Sequence, residues 1–486
     1  MSHQDKDGST SFPYHFQALK DALLWLFDTA DLSAIQFRED CSWSALGLIF
    51  TALLWSWSDE KSLTQRFFTA RKICFKALGK LALGSRKGEK GEAKKPAGSY
   101  QAFMKMLQTW TTVLVLQLMV VFRQRMRTAL PDRQLIAGFE VFAVDGSRLE
   151  LPRTKSNESR FSAQSARKRR RAKGAKRRKS TSHHDRAERS RAKKANSPQI
   201  WLTIMWHVAT GLPWDWRTGP SDSSERDHFR QMITALPNGA LVTGDAGFVG
   251  YHYWKEVIDS GRQLLIRVGG NVRLLKNLGY IRQKQDLVYL WPDEVAAKRL
   301  PPLVLRLVVV HDGRNPCYLA TTVLDEKRLT DRQLAEIYRL RWGIEVFYRH
   351  FKQTFERRKL RSKSADNAQV EAEWSLLGLW SMALHAQSVL AADGVPARRL
   401  SVAKVLYAYR RAMREYKSRP DAGESLRELL RKAVIDSYKR GSKTSRDYPR
   451  QYREATVGPP KIFAATKKQI HLAEEIKNEL PLGLTA

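Results

Sequence analysis

Apolar residues recur with the 3.6-residue period of α-helices through the N-terminal part of the chain. The pattern covers residues 14–82 and about 100–130, separated by a Gly- and Lys-rich stretch (84–99) typical of a solvated linker. The longest apolar runs, 43–57 and 112–122, are too short for a membrane span. We therefore predict a helical N-terminal domain in which these runs are buried helices, and no membrane partner.

From residue 139 the pattern changes to the period-two alternation of strands. "FEVFAVDGSRLEL" (139–151) predicts a hairpin with Asp-Gly at its turn. After a basic interruption, "IWLTIMWHV" (200–208) and "LPWDWRTG" (212–219) predict two further strands. "ALVTGDAGF" (240–248) and "QLLIRVG" (263–269) flank a short predicted helix and complete a β-α-β unit. The predicted fold is α/β, a mixed sheet with helices on its faces.

The remaining chain first favours strands and then helices. Residues 270–328 are β-rich, and the pair Thr330 and Gln333 predicts a capping box that opens a helix of about 26 residues. The tail, 365–486, has a helical and basic pattern.

Charge narrows the choice of partner. The 486 residues contain 85 Lys or Arg and 49 Asp or Glu, a net charge of +36. Such an excess favours polyanions, with nucleic acid the first candidate and an anionic membrane surface the second. Residues 167–194 hold fifteen Lys or Arg and two acids, a net of +13. We predict an exposed arm that binds DNA without reading its sequence, the alternative being a tolerated surface insertion.

The three cysteines have no metal-ligand spacing, which fits a reducing cytosol.

One carboxylate stands among the cations of "YRLRWGIEVFYRHFK" (338–352). At 100° per residue, four polar side chains fall within about 60° of one another, beside an apolar stripe: Tyr338, Arg341, Glu345 and Lys352. Taken alone, Glu345 could simply pair with the arginine one turn earlier. The position of all four residues on one side of the helix instead indicates an organised polar surface. It would lie at the margin of the buried apolar face.

Two further acids follow predicted strands, Asp145 after "VFAV" and Asp245 after "ALVTG". Carboxylate oxygens suit Mg²⁺, and two ions about 4 Å apart could activate an attacking oxygen and stabilise a leaving one. Taken singly, each Asp is also a common turn residue. We interpret Asp222, Glu225 and Asp227 as a solvated loop or the start of a helix, the alternative being acids that support the metal ligands from outside.

These residues resemble bacterial insertion-sequence transposases of the insertion-sequence-four type, which have an RNase H-like DDE catalytic domain. The motif Tyr-x₂-Arg-x₃-Glu-x₆-Lys stands in full within 338–352. "VDGSRLELP" (144–152) resembles the first-Asp strand of the family and "GDAGF" (244–248) its second-Asp turn. The resemblance covers roughly 139–385, with the β-rich 270–328 segment where the family carries a β insertion.

The resemblance implies roles for individual residues. Asp145, Asp245 and Glu345 would be catalytic and would hold two Mg²⁺ (or Mn²⁺) ions. Further residues would bind the phosphates of the transposon end: Tyr338, Arg341 and Lys352, with Arg349 as an additional DNA contact. The cations around Glu345 agree with these roles, because a carboxylate that faces DNA would repel the phosphates if no cations stood beside it.

The family also flips a base near the cleavage site and stacks it on an aromatic, usually a Trp in the β insertion. The spacing from Glu345 puts that position at about Cys317, so this sequence departs from the pattern. Either Tyr318 or Trp291 takes the role, or base flipping is done differently in this protein.

The predicted organisation has five parts. They are a helical DNA-end-binding domain (1–137), a first part of the RNase H-like core with a basic insertion at 165–195 (138–262), a β-rich insertion domain (263–329), a second core part with the catalytic helix (330–395), and a basic helical region for DNA binding or dimerisation (396–486).

We expect a cytoplasmic, nucleoid-associated DNA transposase that works by cut-and-paste. It would nick the transposon ends, form hairpins by family resemblance, and transfer strands into target DNA. Its partners would be double-stranded DNA, as terminal inverted repeats and target, and a second copy in a homodimer. Three alternatives stay open: a metal-dependent DNA nuclease without strand transfer, a non-catalytic basic DNA-binding protein, and a membrane-surface protein.

Overall fold

The computed structural model describes residues 14–85, 98–163, 197–282, 286–312, 315–419, 423–436 and 458–479. The predicted basic arm within 165–195 lies outside them. The helices are α1 (His15–Leu26), α2 (Ala45–Trp57), α3 (Leu63–Leu78), α4 (Tyr100–Ala129), α5 (Lys155–Phe161), α6 (Glu225–Arg230), α7 (Tyr251–Asp259), α8 (Asp293–Ala296), α9 (Asp331–Leu340), α10 (Gly343–Arg349), α11 (Ala365–Ala392), α12 (Val402–Arg414), α13 (Leu426–Arg431) and α14 (Lys467–Glu479).

The strands form one mixed sheet. They are β1 (Val141–Glu150), β2 (Gln199–His207), β3 (Leu212–Gly219), β4 (Leu241–Gly244), β5 (Gln263–Val268), β6 (Arg273–Lys276), β7 (Leu287–Leu290), β8 (Leu303–Asp312), β9 (Asn315–Thr321) and β10 (Lys461–Ala464). Their order is β10-β6-β7-β8-β9-β5-β4-β1-β2-β3.

Half of this sheet has the RNase H-like arrangement. In the order β3-β2-β1-β4-β5, strands β1, β4 and β5 are parallel and β2 runs antiparallel to both of its neighbours. Helices α6 and α7 connect β3 to β4 and β4 to β5. The predicted mixed α/β fold is confirmed.

The other half continues the same sheet. Strand β9 pairs antiparallel with β5, so the β-rich segment extends the core sheet edge to edge instead of forming a sheet of its own. At the far edge β10 pairs parallel with β6. A strand here was not predicted, because the tail was expected to be helical. Four residues next to a helical pattern give too short a period-two signal to recognise.

The N-terminal helices pack on α11, the long helix that follows the 338–352 segment. Twelve of the thirteen residues of α2 are buried, which confirms the predicted buried helix. Helix α11 packs against both α2 and α4, and the Trp57 indole N–H donates to the Gly378 carbonyl across 2.8 Å. Helices α4 and α11 are long and apolar enough to cross a membrane by length and composition. Most of α11 is buried inside the protein, as in the core helix of a globular domain.

The predicted hairpin turn at Asp145–Gly146 is wrong. Strand β1 runs straight through both residues to Glu150, and its antiparallel partner is β2. Gly146 does not form a turn, but lets another side chain come close to the strand. A Cβ built at Gly146 would lie 2.5 Å from a carboxylate oxygen of Glu225, so a larger residue would displace that side chain.

Candidate active site

The pairing of β1 with β4 brings the two aspartates together. Residues 141–143 pair in parallel with 241–243, an offset of 100 positions. The same offset puts Asp145 and Asp245 at one level, two residues beyond the last pair of Ala143 with Thr243. Adjacent strands lie only about 4.8 Å apart, so these two carboxylates are neighbours. Asp245 also caps the following 3₁₀ turn, since its Oδ1 accepts from the Gly247 N–H at 2.8 Å.

The predicted single helix is three successive pieces. The capping box of Thr330 and Gln333 opens α9 as predicted. At Arg341 and Trp342 the backbone N–H groups donate to the carbonyls three residues earlier, as in a 3₁₀ turn, before α10 begins. A π-helical turn, His350–Thr354, ends the segment. The backbone stays helical throughout, so the four motif residues keep one side in common.

Gly343 sets how closely α10 approaches the sheet. A Cβ there would lie 2.1 Å from the outer ring of Trp206 on β2, far inside any real contact. Ile344 and Phe347 are buried beneath the helix, which packs on β1. The helix therefore rests directly on the strand that carries Asp145.

The motif residues contact one another along this helix. Arg341 donates to the Glu345 carboxylate across 2.9 Å, and its guanidinium lies 5.4 Å from the ring centroid of Tyr338. The Glu345 side chain is 35% exposed and that of Arg341 only 12%. The exposed carboxylate can therefore exchange partners, whereas the arginine is held in place.

Lys352 and Tyr348 attach the same helical segment to β1. Lys352 Nζ donates to Ser147 Oγ across 2.6 Å, and Ser147 shares a strand face with Asp145. The buried Tyr348 hydroxyl donates to the Asp145 carbonyl at 2.8 Å. The motif lysine thus stands beside the first aspartate.

The charges of these groups act on one another. Burial raises the pKa of the Asp145 carboxyl to about 6; the charges of Asp245 and Glu345 add to the rise, while the Gly146 N–H and Arg341 oppose it. Like charges that are close together favour protonation of one of them. The three predicted catalytic carboxylates therefore form one electrostatic cluster.

Glu225 joins this cluster from a predicted helix start, although its carboxylate was expected to be solvated. It is the first residue of α6, and burial raises its pKa to about 7, with the charges of Asp145 and Asp245 adding to the rise. Asp222 and Asp227 are exposed, as expected. A glycine inside a strand pattern, here Gly146, signals a close approach and could have pointed to a partner.

The aromatic candidates are distributed differently from the expectation. Burial raises the pKa of the Tyr338 hydroxyl, and Cys317 is near enough to add to that rise. Strand alternation then directs Tyr318 to the opposite face of the sheet from Cys317. Trp291 is buried, with its indole N–H on the Leu300 carbonyl. Trp342, which the sequence analysis did not single out, is 59% exposed inside the motif.

The remaining candidate, Arg349, is exposed at the end of α10. Across the described ranges, no three His, Cys, Asp or Glu side chains are already arranged to hold a metal ion. The cluster combines neighbouring carboxylates with a rim of cations, a surface suited to cations and phosphates together.

The family follows from comparison with known proteins. A sequence model described as "Transposase DDE domain" matches residues 137–380, half of the chain. The chain belongs to this family.

The resemblance to transposases of the insertion-sequence-four type is also confirmed. Over 189 residues the chain is 26% identical to "Transposase InsG for insertion sequence element IS4" of Escherichia coli (strain K12), a match covering 37% of this chain and 42% of that relative. The chain thus spans less than half of the relative's length. A cryo-EM structure of the piggyBac transposase synaptic complex with hairpin DNA aligns over 90% of this chain and 87% of that one, with a TM-score of 0.37 and 10% identity. A similarity at that level does not bear on fold or function.

Proposed function

We propose that this protein is a cut-and-paste DNA transposase whose catalytic carboxylates are Asp145, Asp245 and Glu345. One observation carries the proposal: two aspartates at one level of adjacent parallel strands are coupled electrostatically to a glutamate on the helix that packs over them. Family membership supplies the reaction class, DNA transposition.

The donor set fits divalent metal ions. Carboxylate oxygens are the ligands that Mg²⁺ and Mn²⁺ prefer, and the mutual repulsion at Asp145 is what a bound cation would relieve. Asp145, Asp245 and Glu345 would together hold two such ions. When bound, the ions would stabilise the negative charge that develops on the phosphate and on the leaving oxygen.

The neighbouring residues would bind and orient the DNA. Glu345 would turn from Arg341 toward the cations, which frees the guanidinium for a phosphate. Lys352, held by Ser147, would contact a second phosphate near the first aspartate. Tyr338 and the exposed Arg349 would extend this contact along the backbone. These groups place one phosphodiester against the carboxylates.

The reaction would proceed as a series of phosphoryl transfers. Water would first cleave one strand at each element end and leave a 3′-hydroxyl. That hydroxyl would attack the opposite strand to form a hairpin, and after its opening would attack target DNA. Each transesterification makes one phosphodiester as it breaks another, so strand transfer needs no energy-rich cofactor. Pairing of two ends favours a homodimer.

The test uses the full chain, duplexes carrying the DNA that flanks its gene, and a target plasmid. With Mg²⁺ or Mn²⁺ we expect end nicks, then hairpin ends, then joined molecules in which element strands are covalent with target. Cleavage that yields only hydrolysed ends would make the protein a nuclease. Absence of cleavage with either ion, despite tight end binding, would reduce it to a DNA-binding protein.

A further inference from the structure

A fourth carboxylate reaches the cluster from outside the motif. Glu225 opens α6, whose first turn is capped by the Ser224 side chain, and α6 packs against β1, β2 and β3. Its carboxylate lies over Gly146, where a Cβ would come within 2.5 Å of Oε1. The residue next to Asp145 is thus the one that lets Glu225 approach.

No described residue is a direct partner of this side chain. The Glu225 carboxylate accepts no hydrogen bond and forms no ion pair within the described ranges. The two cations whose charges lower its pKa also have other partners: Arg226 donates to the Gly247 carbonyl across 2.8 Å, and Arg148 stacks 4.6 Å from the Trp201 ring centroid. A half-buried carboxylate facing two others without a partner is costly unless a cation joins them.

We propose that Glu225 is a fourth carboxylate ligand of the metal site formed by Asp145, Asp245 and Glu345. This inference rests on the proposed function. Two divalent ions bring four positive charges. Three carboxylates would compensate only three of these charges, whereas four carboxylates would balance them. Glu225 reaches the aspartates from α6, whereas Glu345 reaches them from the motif helix, so the two glutamates would approach the metal site from different elements.

The test measures metal binding by the DNA-free full chain, so that it does not depend on activity. Isothermal titration with Mn²⁺ gives stoichiometry and affinity, and the Mn²⁺-induced rise in melting temperature gives a second readout. The variants are Glu225→Gln and Glu225→Asp. The matched control is Asp227→Asn, an exposed acid two residues away on the same helix. Asp145→Asn tests the metal site as such.

We expect Glu225→Gln to weaken Mn²⁺ binding at least about tenfold and to reduce the melting-temperature rise. Glu225→Asp, which keeps the charge on a shorter arm, should fall between it and wild type, and Asp227→Asn should match wild type. Glu225→Gln removes charge repulsion, so it should fold at least as stably without metal. If it binds Mn²⁺ like wild type while Asp145→Asn does not, this inference fails alone. If Asp145→Asn also binds like wild type, the proposed function fails with it.

Discussion

A single methyl group added at Gly343 should disable the enzyme by lifting the motif helix. The new Cβ would lie 2.1, 2.8 and 3.0 Å from three carbons of the Trp206 outer ring. Carbon atoms rest at about 3.5–4.0 Å, so helix or ring must move by more than about 1 Å. Trp206 cannot easily move, because it is 6% exposed and lies on β2, which pairs with a strand on each side.

The helix should therefore shift, and Glu345 lies two residues beyond the clash. Overpacking of this kind costs about 1–3 kcal/mol of folding stability. A displacement of about 1 Å at a catalytic group costs roughly 100-fold in rate, or about 2.7 kcal/mol of activation free energy. We expect Gly343→Ala to stay folded and to lose about two orders of magnitude in first-strand nicking.

The assay is single-turnover nicking of a saturating, pre-formed end complex, with melting temperature measured in parallel. Gly98→Ala is the matched control, because a Cβ at Gly98 meets nothing within 4 Å. Gly343→Ala combined with Trp206→Phe should recover most of the rate, since Phe lacks the clashing atoms. The Trp206 indole N–H has no hydrogen-bond partner among the described residues, so the change removes no bond. Wild-type nicking by Gly343→Ala, or no rescue by the double variant, would refute the reasoning.

Three further predictions concern DNA binding, base stacking and acid stability. Arg341→Ala and Lys352→Ala should each lower the slope of log K against log salt for end binding by about 1, and unchanged slopes would assign both side chains to packing. If an exposed aromatic stacks on an unpaired base, Trp342→Ala should lose hairpin formation more than nicking, by about 1–3 kcal/mol, whereas a loss confined to Tyr318→Ala would restore the sequence-based expectation. Burial lowers the pKa of His207 to about 3, so on acidification the imidazole is protonated in the unfolded chain before it is protonated in the folded one. The free energy of unfolding therefore falls as the pH drops below about 6.5, by about 2 kcal/mol at pH 5. In urea unfolding, His207→Gln should show a smaller fall.

Local periodicity was enough to predict much of the site. The four motif residues share one side although the helix tightens at Arg341 and widens at His350, because both departures are small and occur within continuous helical backbone. Both aspartates were predicted to end strands, which is right for Asp245 after β4 but wrong for Asp145, which lies inside β1. Their common level depends on the parallel register of β1 with β4, which no short window of sequence contains.

The missed features all depend on contacts between distant parts of the chain. Glu225 follows Gly146 by almost eighty residues, and only the packed fold brings them together. The junction of β5 with β9, which makes the β-rich segment part of the core sheet, is equally non-local. The Asp-Gly pair was misassigned to a turn because glycine serves tight turns and close contacts alike.

The central claim is that Asp145, Asp245 and Glu345 act together as the catalytic carboxylates. The most direct measurement is the Mg²⁺-dependent nicking rate of Asp145→Asn, Asp245→Asn and Glu345→Gln on pre-bound ends, with Asp227→Asn as control. Each of the three should lose at least about 100-fold in rate, because a bound ion supplies several kcal/mol of transition-state stabilisation, while end binding stays near wild type. Near wild-type nicking by any one of the three would contradict the account.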